Sequence, residues 1–279
     1  MEEKILSQKR MAVINDFSGF GRCSLTVSLP IISAMKIQCC ALPTAVLSNH
    51  TGYSDYFFDD YTDKMKEYYL TWEKLRLSFD GIYTGFLGSV RQVELIIDFI
   101  RRFASAGTAV VVDPVMGDNG KPYATIDSEL CREIRLLLPL SSVITPNLTE
   151  ACILAGVPFR ESGFSDAELL GMTRRLRDMG AKSIVITGIT QGDTIRNLIC
   201  SENGDISFAV SKSTGLQHAG TGDVFASIIA ADCINGVGLE TSVKKAADFV
   251  ARAIAVTEKM NVPAEDGVCF EEILGELIP

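Results

Sequence analysis

Short runs of β-branched and apolar residues alternate along the chain with segments whose apolar positions recur every three or four residues. The runs Met11–Asn15, Ile37–Ala45, Gly81–Gly85, Ala109–Asp113, Ser142–Thr145, Lys182–Thr187, Thr194–Cys200 and Ile206–Val210 read as strands, being short, rich in Val and Ile, and bounded by turn residues. Helical spacing fills most of the gaps. Val93, Ile96, Ile97 and Ile100 mark one amphipathic helix over Val90–Phe103, and Val243, Ala246, Ala247, Val250 and Ile254 mark another that starts just after Thr241 and Ser242. Ser165 followed by Glu168 is a capping box opening a helix expected to end near Gly180. Alternating strands and helices of this kind predict a three-layer αβα fold around a mostly parallel sheet. The last two strands are joined by Ser201-Glu-Asn-Gly204, a hairpin signal that predicts an antiparallel edge.

No Pro/Gly/Ser-rich linker, low-complexity stretch or internal repeat divides the 279 residues, so residues 1–279 read as a single domain. Hydrophobic residues make up 47% of the chain, enough for a large core. The formal net charge is −9 and no basic stripe appears, which argues against nucleic acid as a partner. A small anion is still compatible with an acidic protein, because backbone N–H groups at a helix start hold anions without net positive charge. The eight cysteines form no C-x-x-C pair, and several sit in apolar stretches, as reduced and buried thiols would. The segment Met1–Arg10 is polar and charged, and no run approaches the roughly 18 apolar residues of a membrane span. The expectation is a cytoplasmic protein with no membrane partner.

In an open α/β sheet, ligands bind at the carboxyl ends of the strands, so chemistry is sought there. Ala219-Gly-Thr-Gly-Asp-Val-Phe-Ala-Ser227 carries the strongest signal. Gly220 and Gly222 allow close backbone approach, Asp223 opens a helix running to about Asn235, and Gly236 stops it. The free N–H groups of that first turn make a cradle for a transferring phosphoryl group. Asp223 beside it is placed to take a proton from an attacking alcohol, although the helix dipole is expected to lower its pKa and weaken it as a base. The plain alternative is an ordinary helix with Asp223 as its N-cap.

Val110-Val-Val-Asp-Pro-Val-Met-Gly-Asp118 ends a buried-looking strand in Asp113, with Asp118 five residues later. Two carboxylates at a strand end suit hydrated Mg²⁺, and Asp, Pro and Gly equally suit a simple turn. In Val143-Ile-Thr-Pro-Asn-Leu-Thr-Glu150, the strand ends at Thr145, Asn147 can cap the next helix, and Glu150 stands in a capping-box position. The two can also order metal-bound water or phosphate oxygens. Ser48-Asn-His-Thr-Gly-Tyr53 is polar, turn-forming and aromatic, as the lip of a small-ring pocket would be, although a lone histidine such as His50 more often holds a loop. Gly19-Phe-Gly-Arg-Cys-Ser24 superficially matches a dinucleotide fingerprint. Its third glycine is missing, and no acidic residue ends a second strand at the required distance.

Taken in order over residues 10–260, these motifs resemble the pyridoxal kinase branch of the ribokinase-like superfamily. Gly-Thr-Gly-Asp is shared across the superfamily. Ser-Asn-His-Thr-Gly-Tyr, Tyr-Thr-Gly-Phe-Leu-Gly at 83–88 and Asp-Pro-Val-Met-Gly-Asp are more specific to pyridoxal kinases. The resemblance implies a ribokinase-like fold without a separate lid, a homodimer, and transfer of the ATP γ-phosphate to the 5′-hydroxymethyl of a B6 vitamer. It implies Asp223 as catalytic base and Gly220, Thr221 and Gly222 as anion hole. Asp113, Asp118, Thr145 and Glu150 would lie around Mg²⁺ and a monovalent cation, K⁺ or Na⁺. ATP contacts would come from Asp113, Asn147, Glu150, Thr187, Ser213, Thr214, Gly215, Leu216 and Thr221, and vitamer contacts from Asp16, Thr51, Phe86 and Asp223.

Two positions depart from the family pattern, which often has Ser where Asp16 stands and Tyr where Phe86 stands. Asp16 adds a negative charge that would shift preference toward a cationic vitamer such as pyridoxamine. The nearest rival is a hydroxymethylpyrimidine kinase of thiamin synthesis, a family that often carries Cys at the place of Asp223. A vitamer-binding protein without turnover is the rival from another class, and it would need no base.

Overall fold

The computed structural model describes residues 8–213 and 215–279. In chain order its elements are β1 (Arg10–Phe20), α1 (Ser24–Ala34), β2 (Gln38–Asn49), β3 (Phe58–Asp60), α2 (Thr62–Lys74), β4 (Gly81–Thr84), α3 (Val90–Phe103), β5 (Ala109–Val112), β6 (Gly117–Asp118), β7 (Lys121–Pro122), α4 (Ser128–Ile134), β8 (Val143–Ile144), α5 (Leu148–Ala155), α6 (Asp166–Asp178), β9 (Ser183–Gln191), β10 (Thr194–Cys200), β11 (Ile206–Lys212), α7 (Thr221–Asn235) and α8 (Leu239–Lys259). Short 3₁₀ segments follow α4 and α8.

One sheet takes nine strands in the order β11-β10-β9-β8-β5-β4-β1-β2-β3. The six strands from β9 to β2 in this order are parallel to one another, while on one flank β10 pairs antiparallel with both β9 and β11, and on the other β3 pairs antiparallel with β2. The expected antiparallel edge is therefore present, and a second one exists at β3. Separately, β6 and β7 make a two-stranded ribbon.

The central strands are apolar on both faces because both are covered. Along β1, Ala12 and Ile14 point into a core shared with α2–α6, whereas Met11 and Val13 point into a second core shared with α1, α7 and α8. The same alternation separates Val110 and Val112 from Val111 on β5. This is the three-layer arrangement expected of a ribokinase-like fold.

The sequence pattern placed most strand cores correctly and several ends too early. β1 continues beyond Asn15 to Phe20, across a register shift between Asn15 and Phe17, and β2 continues with it to Asn49. Polar residues on this extension hide it from an apolar-run criterion. β9 likewise passes Thr187 and reaches Gln191 before turning into β10. α8 starts at Leu239, ahead of Thr241. α3 spans Val90–Phe103 as expected, and the Ser165–Glu168 capping box is formed, with reciprocal bonds between side chains and backbone.

Phe99, on α3, is fully buried against α2, with ring centroids of Phe103 at 4.5 Å and Tyr69 at 5.6 Å. Phe99→Ala should destabilise the chain by ~3–5 kcal/mol through lost burial and a residual cavity. Leu75→Ala, at an exposed position, should stay within about 0.5 kcal/mol of the parent. Urea unfolding of the two variants checks the contrast.

Candidate active site

The carboxyl ends of the parallel strands open into one cleft of about 980 Å³. Its wall brings together Asp16, Thr51, Phe86, Asp113, Asp118, Thr145, Asn147, Glu150, Thr187, Leu216 and the whole Gly220–Asp223 turn. Ser213 and Gly215 do not line it; Gly215 N–H instead donates to Ser213 Oγ at 3.1 Å. Thr214 lies outside the described residues.

α7 begins at Thr221, with Gly220 as N-cap at φ 73° and no side chain capping the helix. A Cβ on Gly220 would fall 1.8 Å from the Arg22 carbonyl oxygen, so glycine is required for both space and dihedral. Asp223 is therefore the third residue of the helix, within its first turn, and is not the cap that the plainer sequence reading offered. The first-turn N–H groups have no intrahelical partner, and the residues that carry them line the cleft.

The expectation that the helix dipole lowers the Asp223 pKa is corrected by its surroundings. The carboxylate opens onto the cleft and keeps some accessible surface, yet the protein mass around it strips away bulk water. Desolvation pushes its pKa up to about 6; Asp16 adds to the rise, and hydrogen bonds from the Ser24 backbone and the Asn15 side chain oppose it. Desolvation acts on the whole charge, while a helix start contributes only partial charges.

Asp113 and Glu150 are both buried in the cleft wall and repel one another. Thr145 Oγ1 donates to Asp113 Oδ1 at 3.2 Å. Burial drives the Asp113 pKa well up, and repulsion from Glu150 and Asp223 reinforces it. Glu150 is also pushed up by burial, against hydrogen bonds from backbone N–H groups. Asn147 N and Met116 N donate to its two oxygens at 2.8 and 3.1 Å. The Asn147–Glu150 capping box of α5 is fully formed, and Asn147 Nδ2 donates to the Gly117 carbonyl at 2.8 Å. These two side chains thus brace the strand end as well as lining the cleft. Asp118 is exposed and takes the Asn119 N–H at 2.8 Å.

Among the described residues, no group of three or more His, Cys, Asp or Glu side chains could by itself hold a metal ion. The donors around Asp113 are hard oxygens in an anion-crowded place. They suit a Mg²⁺ that keeps water and phosphate oxygens in its shell, and they do not suit an all-protein cage.

Beside Asp223 on the cleft wall, Asp16 is 6% exposed and accepts from Ser18 Oγ at 2.8 Å and Ser24 Oγ at 2.5 Å. Burial raises its pKa, and the two hydroxyls moderate the rise. Thr51 and Phe86 complete this end of the wall. His50 is held by backbone: Nε2 donates to the Glu265 carbonyl at 2.7 Å and Nδ1 accepts from Gly52 N at 3.1 Å. Tyr53 OH donates to Asp266 Oδ1 at 2.7 Å.

The 3₁₀ turn Ala264–Asp266 ties this lip to the cradle, because Ala219 N donates to the Ala264 carbonyl and Arg22 N to the Asp266 carbonyl, both at 3.1 Å. The Gly19–Ser24 stretch, unsuited to dinucleotides, turns β1 into α1 and brings Ser24 to the two acids. Asn15, Ser24, Tyr123 and His218 line the cleft without having been singled out. His218 alone had a positional signal, directly before the glycine turn.

A family profile described as phosphomethylpyrimidine kinase matches residues 30–268. A Caenorhabditis elegans protein named as a pyridoxal kinase is 31% identical over 211 residues, covering 68% of this chain and 64% of that protein, just under two thirds of its length. A hydroxymethylpyrimidine/phosphomethylpyrimidine kinase of Haemophilus influenzae is 30% identical over 176 residues, covering 61% and 63% respectively. Among solved structures, a Bacteroides thetaiotaomicron protein assigned as a phosphomethylpyrimidine kinase and crystallised with pyridoxal superposes with a TM-score of 0.92 at 37% identity, covering 97% of this chain and 96% of that one. With the glycine cradle, the strand-end acids and the nine-stranded sheet in place, the chain belongs to the phosphomethylpyrimidine kinase family, in the pyridoxal kinase branch of the ribokinase-like superfamily.

Proposed function

We propose that this chain transfers the γ-phosphoryl group of ATP to the 5′-hydroxymethyl of pyridoxal, pyridoxamine or pyridoxine. The observation that carries this reading is the Asp223 carboxylate, desolvated beside an uncapped helix start and facing a pocket end built from Asp16, Thr51 and Phe86. Its pKa of about 6 leaves it mostly ionised at neutral pH and close enough to neutrality to accept a proton. A loose phosphoryl-transfer transition state asks for that proton late, so a weak base suffices.

The Gly220, Thr221 and Gly222 N–H groups hold the negative charge of the moving phosphoryl group. Asp113, Asp118, Thr145 and Glu150 are the residues that would hold Mg²⁺ and a monovalent cation, and Mg²⁺ when bound neutralises the polyphosphate charge. Asn147, Thr187, Leu216 and Thr221 would contact the nucleotide from the wall they already line.

A hydroxymethylpyrimidine is the second substrate reading, favoured by the family profile and by the Haemophilus influenzae relative. Asp223, where that family often has Cys, weighs toward the B6 vitamer. Pyridoxal bound in the Bacteroides thetaiotaomicron relative weighs the same way.

Formation of pyridoxal phosphate from ATP and pyridoxal, followed by absorbance alongside hydroxymethylpyrimidine as competitor, tests the assignment. Binding of pyridoxal with no ATP consumption would overturn it in favour of a storage role. Asp223→Ala should cut kcat by about 10²–10⁴-fold. In the parent enzyme, kcat should fall as pH drops through about 6, where Asp223 takes up a proton and ceases to be a base.

Asp16→Ser addresses specificity. If the Asp16 charge favours pyridoxamine, kcat/KM for that vitamer should fall by about tenfold relative to pyridoxal in the variant. An unchanged ranking of the three vitamers rejects the role.

We also propose a homodimer covering the β1–β2–β3 edge, where Phe20 and Phe57 are 56% and 65% exposed beside a short edge strand. Light scattering after size exclusion should read two chains, and Phe57→Asp should shift the protein toward one. A monomeric parent would reject the dimer.

A further inference from the structure

Asn15 belongs to none of the sequence motifs, yet it is wholly buried at the bulge where β1 changes register. Its Oδ1 accepts from Asp16 N at 3.0 Å and from Phe86 N at 2.8 Å. With the oxygen committed to two backbone donors, the amide has one admissible orientation, and Nδ2 faces away from them. In that direction lies Asp223, whose Oδ1 accepts from Nδ2 at 3.2 Å. Gly85 closes the back of the clamp: a Cβ there would stand 2.4 Å from Nδ2 and 2.5 Å from Cγ of Asn15. Bare backbone at 85 is therefore what lets the amide sit where it does.

We infer that Asn15 is the positioning residue of Asp223, its clamped amide fixing the direction in which the carboxylate faces the cleft and supplying one of the donors that keep it an anion. The need for such a donor follows from the company Asp223 keeps. Asp16 faces it from β1, Cys23 from the start of α1, Tyr83 from β4, Asp113 from the end of β5 and Tyr123 from beyond β7. Every one of these carries negative charge or none. Opposing them are dipoles, the Asn15 amide and the Ser24 backbone N–H. The same amide also joins Asp223 to the backbone of Phe86 and Asp16, two residues of the pocket end, so base and pocket are registered to one side chain.

The inference rests on the assignment of Asp223 as the base, and its test is arranged to separate the two. The pH dependence of kcat is measured with ATP, Mg²⁺ and pyridoxal for the parent, Asn15→Ala and Gly85→Ala. Asn15→Ala removes the donor. Gly85→Ala leaves both side chains in place and pushes the amide off Asp223, so it stands in should Asn15→Ala fail to fold.

Each variant should move the acid limb of kcat upward by about one pH unit, while KM for ATP changes less than about threefold. ¹³C-carboxyl NMR of aspartate-labelled protein, with Asp223→Asn identifying the signal, should show the same upward shift in Asp223 without any turnover. A limb and a carboxyl signal that titrate where the parent's do, whatever the loss in rate, overturn the positioning role. A parent without turnover overturns the kinase reading, and the NMR titration then still decides Asn15.

Discussion

The cleft is organised around acids that have lost bulk water. Asp16, Asp113, Glu150 and Asp223 all have pKa values raised first by burial. An unsolvated carboxylate is costly unless something donates to it. Here the donors are hydroxyls of Ser18, Ser24 and Thr145, the Asn15 amide, and backbone N–H groups at Asn147, Met116 and Ser24. Most of these sit where a strand hands over to a helix. A parallel sheet places those junctions on one edge, so the fold delivers the donors and the acids to the same place. The start of α7, with no side chain capping it, lies at the same edge.

How much of the fold could be read from sequence depended on burial. Strands such as β4 and β5 are covered on both faces, and an unbroken apolar run such as Val110–Val112 is legible without alignment. α3 and α6 were legible because an apolar stripe or a capping box marks them. β3 was not, because Phe58-Asp-Asp60 is short, polar and exposed. The far ends of β1 and β2 were missed for a related reason: beyond Asn15 the buried positions of β1 are the polar Asp16 and Ser18, and the hydrophobic pattern that announces a strand stops while the pairing continues.

The candidate site was legible where one residue carries the chemistry and illegible where partners do. Asp223, Asp113 and Asp118 stood out as acids beside glycine or proline turns. Asn15 gave no signal and Ser24 stood only as the end of a discounted glycine motif, because their importance lies in what they touch far along the chain. The Asp223 pKa was misjudged for the same reason: the helix dipole could be read from local sequence, and the protein mass around the carboxylate could not. His50 turned out to be the loop-holding residue that a lone histidine usually is.

The 3₁₀ turn Ala264–Asp266 lies late in the chain, yet it is hooked to Ala219, Arg22, His50 and Tyr53 together. Pocket rim and glycine turn are thus two jaws mounted on one hinge pin. Substitutions that reshape the rim will pull on the glycine turn too. Evolution toward new ligands on this scaffold should then run through changes in the floor of the pocket, leaving the rim alone.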